Sequence, residues 1–243
     1  MRRAPQPSVG FAVCCLRFIG KNHSRGGCKM IIRYQGHAFF TLTLENGTVI
    51  AMDPYDAFYQ YPRRKLTADV VTMSHQHHDH NGTGAIVGEY KAVETTGVHR
   101  LGYCTITGID TWHDHHQGSR RGKNIFFVIE AEGLRIGHAG DLGHLLSEEK
   151  VKAIGKLDIL LLPVGGTYTV DKDEAKAVWQ QLKPAVCIPM HYRTEYDPEM
   201  PVTTLEDFLA TVNKEHISLP VMRATAGDMS QRPPIVVMEI EKA

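Results

Sequence analysis

Hydrophobic and polar positions change their spacing at Met30. Residues 1–29 show no regular period and contain Pro and Gly clusters. From Met30 the sequence MIIRYQGHAFFTLTLENGTVIAMDPY predicts three strands, with a hairpin turn at Asn46 and Gly47 between the last two. We therefore predict that residues 1–29 are a disordered or non-native extension and that residues 30–243 form a single domain.

The rest of the chain alternates between extended and helical patterns. The sequence LDILLLPV at 157–164 is almost wholly apolar, which is typical of a strand buried on both faces. Two segments repeat their apolar residues every three to four positions and predict helices, the second with Thr204 as its cap. Further strands are predicted within 69–74, 91–113, 124–131, 134–139, 185–190, 219–223 and 235–240, and the helices at 173–182 and 203–212.

The order of these elements indicates the fold class. Strands dominate the first half of the chain, and strands alternate with helices in the second half. This order predicts an α/β (α+β) protein with two sheets in its core and helices outside them.

Composition argues against a nucleic-acid partner and against a membrane span. Lys plus Arg and Asp plus Glu are equal at 27 each, so no global field attracts nucleic acid and no nucleic-acid partner is expected. No run of 18 apolar residues occurs, so no membrane span is expected. The sequence is compatible with a homo-oligomer.

We expect a cytoplasmic protein. The apolar stretch near the start is short and broken by Arg17, and no clean signal cleavage site follows it. The number of cysteines is odd and no Cys-x-x-Cys occurs, so neither a disulfide scaffold nor a thiolate zinc site is expected. We expect buried or incidental thiols at Cys14, Cys15, Cys28, Cys104 and Cys187.

Histidines are concentrated in two short stretches, and the first carries the main chemical signal. The run Ser-His-Gln-His-His-Asp-His-Asn follows an apolar strand and fits the pattern His-x-His-x-Asp-His. In an extended chain residues i and i+2 point the same way, so His75 and His77 can bind one metal together. Asp79 and His80 then face a second point nearby. The run follows a strand, where open α/β sheets place their sites.

This run resembles the signature of the metallo-β-lactamase superfamily, and the resemblance extends from Met30 to about Ala243. Asp53 resembles the early Asp that orients the metal-binding loop. Asp141 in His-Ala-Gly-Asp resembles the bridging Asp, and His191 in Pro-Met-His-Tyr resembles the last His ligand. The resemblance is closest to compact metal-dependent hydrolases similar to the ascorbate-6-phosphate lactonase-like group. It implies a four-layer αβ/βα sandwich of two mixed sheets flanked by helices.

The remaining histidine ligand has three candidates, His113, His115 and His116. We favour His113, because it directly ends a predicted strand and because the similar branch carries its histidine there. The spacing from His80 is shorter than in the lactamases proper, which leaves the shape of the substrate cleft open.

The resemblance implies a site with two zinc ions per chain, although the same ligands also accept Mn or Fe. One metal would take His75, His77 and His113, and the other would take the ligands Asp79, His80 and His191, with Asp141 as the bridge. Oxygen-reducing di-iron relatives carry Glu where this chain has His77, which favours zinc and hydrolysis. A hydroxide shared by the metals would attack an ester, lactone, thioester or phosphodiester of a small molecule.

Several other residues are candidates for the site. We expect Asp79 to act in catalysis, and His144 to contact substrate or donate a proton. His37 and His138 either support the site or are structural histidines, and Asp114 could orient a ligand. Tyr168 follows a buried strand and could face the cleft. A basic cluster could hold an anionic substrate or form a solvated flank, and it consists of Arg120, Arg121 and Lys123.

Three alternative functions follow from the same residues. The chain could bind metal without hydrolytic turnover, as a sensor or scaffold. It could be an RNA or DNA phosphodiesterase, although the balanced charge and the lack of a long inserted arm count against this. A true β-lactamase is disfavoured by the lack of a convincing export signal.

Overall fold

The computed structural model describes residues 29–56, 60–62 and 65–242. The predicted extension at 1–29 therefore lies outside the described residues, apart from Lys29. The strands are β1 Met30–Gly36, β2 Phe39–Thr43, β3 Val49–Met52, β4 Leu66–Thr67, β5 Val70–Thr72, β6 Ile86–Val87, β7 Lys91–Val93, β8 Gly97–Arg100, β9 Thr105–Trp112, β10 Lys123–Ala131, β11 Leu134–His138, β12 Ile159–Pro163, β13 Val186–Met190, β14 His216–Leu219, β15 Met222–Ala224 and β16 Ile235–Met238. The helices are α1 Glu148–Ile154, α2 Lys172–Leu182 and α3 Leu205–Val212, and 3-10 turns cover Thr83–Ala85 and Met229–Gln231.

The strands form two large mixed sheets. The first has the order β15-β1-β2-β3-β5-β7, in which β1, β2 and β3 are antiparallel and β3, β5 and β7 are parallel. The second has the order β14-β16-β13-β12-β11-β10-β9-β8 and changes from parallel to antiparallel at β11. A small parallel pair joins β4 and β6. The predicted fold class with two mixed sheets is confirmed.

The two sheets share one apolar core. Side chains from the first sheet, such as Ile32 and Phe40, and from the second, such as Phe127, belong to the same buried cluster. Val178 of α2 and Phe208 of α3 join that cluster. Every residue of β12 and of β13 is buried, as expected for parallel strands that are covered on both faces.

Capping residues fix the starts of the helices. Thr204 caps α3 as predicted, and its hydroxyl accepts a hydrogen bond from the backbone N–H of Asp207. Asp171 caps α2 in the same way and forms a capping box with Glu174. Helix α1 was not predicted, because it is only 7 residues long and buries a single side chain, Ile154.

The predicted strand at 219–223 is wrong. The structure ends β14 at Leu219 and starts β15 at Met222, and these two strands lie in different sheets, on β16 and β1 respectively. Pro220 lies at the break, and proline cannot donate a hydrogen bond to a continuing ladder.

Two thiols behave as expected from the sequence. Cys104 and Cys187 are buried and free, while Cys14, Cys15 and Cys28 lie outside the described residues. Among the described helices, none is both long and apolar enough to span a membrane.

Candidate metal centre

The predicted ligands follow the ends of four strands drawn from both sheets. The loop with His75 follows β5, and His113 comes directly after β9. Asp141 follows β11, and His191 comes directly after β13. The carboxyl ends of these strands therefore deliver side chains of distant sequence position to one edge of the fold.

The donor atoms form two adjoining groups. The nitrogen atoms of His75, His77 and His113 lie within 4.8 Å of one another. A second group, also within 4.8 Å, consists of His37, Asp79, His80 and His191. The structure thus brings the six predicted terminal ligands together in these two groups, and His37 lies with the second group.

Of the three candidates for the remaining histidine ligand, the structure brings only His113 to the site. His113 is buried, with Nε2 3.1 Å from Oδ2 of Asp141. His115 is exposed and lies 3.4 Å from a carboxylate oxygen of Glu174. His116 is also exposed and belongs to neither group.

Asp141 lies between the two groups. Its Oδ1 is 3.1 Å from His80 Nε2, and its Oδ2 is 3.1 Å from His113 Nε2 and 3.5 Å from His191 Nε2. Burial acts to raise the pKa of this carboxyl, but His191 and His80 outweigh it and hold the pKa well below its usual range. Asp141 is therefore an ionised carboxylate whose Oδ1 faces the second group and whose Oδ2 lies near histidines of both groups.

Asp53 supports two of the predicted ligands, His75 and His80, through hydrogen bonds. Its carboxylate accepts a hydrogen bond from the backbone N–H of Ser74 at 2.7 Å and lies 2.8 Å from His80 Nδ1. Ser74 Oγ donates to the same carboxylate and lies 2.9 Å from His75 Nδ1. This buried carboxylate therefore orients a ligand of each group, the role that the resemblance implied.

Asn124 has a supporting role that was not predicted. Its Oδ1 accepts a hydrogen bond from the backbone N–H of Asp141 at 2.9 Å. Its Nδ2 donates to the carbonyl of Ala139 and to Thr111 Oγ1. Asparagine within a strand carries no sequence signal for this role, because the contact depends on how β10 and β11 pair.

Asp114 organises the turn after His113 and does not contact a ligand group. Its carboxylate accepts backbone hydrogen bonds from four residues of the turn, His116, Gly118, Arg120 and Arg121. Desolvation acts to raise the pKa of Asp114, but these hydrogen bonds lower it to about 2.

The imidazoles of the two donor groups differ in their pKa values. Burial, with help from His80, lowers the pKa of His75 to about 3. Burial and His191 lower the pKa of His37 to about 4. Burial also acts to lower the pKa of His80, but the carboxylates of Asp141 and Asp53 outweigh it and raise that pKa well above its usual value. His75 and His37 are thus neutral donors at pH 7.

A buried ring nitrogen supports the fit of a divalent metal to this site. His75 Nε2 is buried and makes no hydrogen bond to any described residue. Burying such a nitrogen without a partner costs free energy, and a bound cation would remove that cost. Imidazole and carboxylate donors in this combination suit zinc and other divalent transition metals.

A cavity of about 560 Å³ opens over the two groups. His77, Asp79, His113 and Asp141 reach its floor. The walls carry charged and apolar side chains, including Arg121, Tyr168, Tyr196, Asp197, Glu199 and Met200. The prediction that Tyr168 faces the cleft agrees with this lining.

Arg121 is the member of the basic cluster that reaches the cleft. Its guanidinium lies 4.8 Å from the centre of the Tyr168 ring and donates a hydrogen bond to the carbonyl of Thr167. Arg120 and Lys123 do not line this cavity.

The structure places His144 away from the proposed chemistry. Its Nε2 accepts a hydrogen bond from the backbone N–H of Trp112 at 3.1 Å, and its Nδ1 lies 2.7 Å from the carbonyl of Leu145. Both ring nitrogens are therefore engaged with backbone, and His144 is not among the residues that line the cleft. Its predicted part in catalysis stays a prediction.

His138 is a buried histidine beside the ligands and not one of them. Its Nε2 lies 2.8 Å from the carbonyl of Ala38, and its Nδ1 accepts a hydrogen bond from the backbone N–H of Gly140. It therefore connects the first hairpin to the segment that carries Asp141.

Comparison with known proteins agrees with the fold. The sequence profile of the beta-lactamase superfamily domain matches residues 31–191, which is more than half of the chain. The chain belongs to the metallo-β-lactamase superfamily and is a metal-dependent hydrolase of that superfamily.

Two relatives and one solved structure are similar to this chain over about 70% of its length or more. The chain is 29% identical over 204 residues to a "UPF0173 metal-dependent hydrolase" of Pelotomaculum thermopropionicum, covering 70% of this chain and 89% of the relative. A protein of Thermoplasma acidophilum with the same description is 30% identical over 198 residues, covering 69% and 87%. A crystal structure from Thermotoga maritima, described as a Zn-dependent hydrolase of the metallo-β-lactamase superfamily, has a TM-score of 0.72. It is 38% identical and covers 86% of this chain and 98% of its own.

Proposed function

We propose that this hydrolase uses two zinc ions to cleave an ester, lactone, thioester or phosphodiester of an anionic small molecule. The observation that carries the proposal is the position of Asp141, whose single carboxylate lies 3.1 Å from His80 of the second group and 3.1 Å from His113 of the first. A single carboxylate that faces two ligand groups is what a pair of cations a few ångströms apart requires.

The ligands divide between the two cations as the donor groups do. His75, His77 and His113 would hold the first cation, and Asp79, His80 and His191 would hold the second. Asp141 would be shared by both. When bound, two divalent cations lower the pKa of a shared water toward neutrality and polarise a carbonyl or phosphoryl oxygen.

The protein's own part in the reaction is to hold the nucleophile and the substrate. We assign Asp79 a second task, because its side chain is 17% exposed and reaches the floor of the cleft. Burial acts to raise its pKa, but His37 and His80 hold that pKa well below its usual range. The carboxylate therefore stays ionised and can accept a hydrogen bond from the attacking water. This hydrogen bond would orient the water toward the substrate.

The cleft walls support an anionic substrate with an apolar part. Arg121 is the arginine on the wall, and its guanidinium is partly buried over Tyr168. A guanidinium in this position binds carboxylate or phosphate well. On the same cleft, Tyr196 and Met200 offer an apolar surface for the remainder of the molecule.

A metal-binding protein without turnover is the main alternative, and a turnover assay distinguishes the two. Zinc-loaded and metal-stripped protein would be assayed with matched chromogenic esters, lactones, thioesters and phosphodiesters, each with and without a carboxylate or phosphate group. We expect turnover by the zinc-loaded protein only, and faster turnover of the anionic member of each pair. The absence of turnover of every one of these substrates by protein that carries its full zinc content would contradict the proposal.

The proposal also covers the cellular compartment and the class of substrate. We place the protein in the cytoplasm, where its buried free thiols at Cys104 and Cys187 would stay reduced. A nucleic-acid substrate is disfavoured, because the chain carries equal numbers of basic and acidic residues.

A further inference from the structure

His37 reaches the metal centre from a different part of the fold than the other donors. It lies in the turn between β1 and β2, whereas the other donors follow the carboxyl ends of β5, β9, β11 and β13. Its side chain is buried, with a residue exposure of 1%. The first hairpin of the chain thus contributes a neutral imidazole to the second donor group.

The spacing of the donor atoms fits two ligands of one cation. His37 Nε2 lies 3.3 Å from Asp79 Oδ2, and His80 Nε2 lies 3.7 Å from the same oxygen. Two donors that each lie about 2.1 Å from one cation are separated by about 3.0–3.4 Å in octahedral or tetrahedral arrangements. The distance between His37 and Asp79 falls in that range, so a cation could replace their direct contact without moving either side chain.

The backbone holds His37 in position. Its carbonyl accepts hydrogen bonds from Tyr34 Oη at 2.8 Å and from the backbone N–H of His191 at 2.9 Å. Its φ is +56°, a left-handed conformation that non-glycine residues rarely adopt. The rings of His37 and His191 lie 4.1 Å apart. A strained residue that is fixed on both sides is typical of a functional site.

We propose that His37 is a fifth protein ligand of the second cation, an inference that rests on the proposed two-metal function. The second site would then bind with five protein donors, His37, Asp79, His80, Asp141 and His191. The first site would have four, His75, His77, His113 and Asp141. Four donors suit tetrahedral zinc, whereas five suit a cation that accepts five or six ligands. The two sites are therefore chemically unequal.

The first test is the structure of the zinc-loaded protein at the zinc absorption edge. We expect the second cation to lie about 2.0–2.2 Å from His37 Nε2. A second cation that is present but more than about 3 Å from this atom would overturn the ligand assignment and leave the two-metal proposal intact. Fewer than two cations would instead overturn the two-metal proposal itself.

The second test is the variant His37→Gln, which keeps an amide donor for Asp79 but removes the imidazole. We expect binding of the second zinc equivalent to weaken by about 100-fold or more, beyond the loss usual for a residue that merely orients a ligand. Binding of the first equivalent should stay unchanged. Two-site binding equal to that of the wild type would overturn the proposal.

The matched control is His216→Gln, which removes an exposed histidine on β14. It should bind both equivalents as the wild type does. Thermal unfolding of both variants shows whether the chain is folded. If His37→Gln does not fold, the distance in the wild-type crystal still decides the question.

Discussion

The carboxylate of Asp53 lies 2.8 Å from Nδ1 of His80, while Nε2 of the same ring faces Asp141. The two buried carboxylates thus engage opposite nitrogens of one imidazole. Because Asp53 accepts a hydrogen bond from Nδ1–H, a ring that has lost its second proton carries its lone pair on Nε2, where the second donor group needs it.

This relationship predicts the effect of Asp53→Asn. The amide can present its N–H groups to His80 and no longer fixes the correct tautomer, so affinity for the second cation should fall by about 10–100-fold. Calorimetric titration with zinc measures this. The control is Asp110→Asn, which removes an exposed carboxylate paired with Lys150 and should leave zinc affinity unchanged. Equal zinc affinity in both variants would show that Asp53 does not orient the ligand.

A proton should leave His80 when metal binds. The pKa of His80 is raised by Asp141 and Asp53 despite burial, so the metal-free protein carries a second proton on this ring at pH 7. His75 and His37, with pKa values of about 3 and 4, are already neutral and release none. Binding of the second cation should therefore release at least about one proton.

The same protonation sets the direction of the pH dependence. Because a proton competes with the cation for His80, affinity should rise with pH up to the raised pKa of that residue. Titrations at pH 7 in two buffers of different ionisation enthalpy measure the proton release. Identical apparent enthalpies in both buffers would mean that no proton is released and that His80 is neutral before metal binds.

Gly165→Ala should displace the backbone of His191, which belongs to the second donor group. An added Cβ would lie 2.2 Å from the carbonyl oxygen of His191, so one backbone segment must move. We expect a loss of about 1–3 kcal/mol in the free energy of unfolding, together with weaker binding of the second cation. Chemical denaturation and zinc titration measure the two effects.

The control is Gly84→Ala, where no atom lies within 4 Å of the added Cβ. It should leave zinc binding unchanged. If Gly165→Ala behaves like this control in both assays, the close packing of Gly165 on His191 does not set the position of the ligand.

Arg121→Gln should affect anionic substrates selectively. Loss of a charge-assisted contact costs about 1.5–3 kcal/mol, which corresponds to about a 10–150-fold lower kcat/KM for an anionic ester. A neutral ester of the same size should be hydrolysed as before. Arg120→Gln changes an exposed neighbour outside the cleft and is the matched control. Equal losses on neutral and anionic esters would exclude Arg121 as the anion-binding group.

The metal-binding run was predictable because its spacing is local. His75 and His77 share a side of the chain wherever the backbone is extended, and the preceding strand fixes where the run begins. The choice of His113 also followed from a local feature, the end of β9. The positions of Asp141 and His191 came from the resemblance alone, since no local rule relates them to the run at 75–80.

The contacts that the sequence did not reveal depend on how distant elements pack. His37 meets Asp79 only because the turn between β1 and β2 lies beside the loop that follows β5, and Asn124 reaches the backbone of Asp141 only because β10 and β11 pair. The split of the predicted strand at 219–223 has the same origin, since β14 and β15 join different sheets. Short apolar patterns do not specify which sheet a strand joins.

Zinc titration of the metal-free wild-type protein, followed by calorimetry, tests the two-metal centre most directly. The geometry of Asp141 between the two donor groups predicts two equivalents of zinc per chain. Asp141→Ala should reduce the total heat and weaken both binding steps, because both groups lose the same carboxylate. A wild-type protein that binds one equivalent or none would contradict the account.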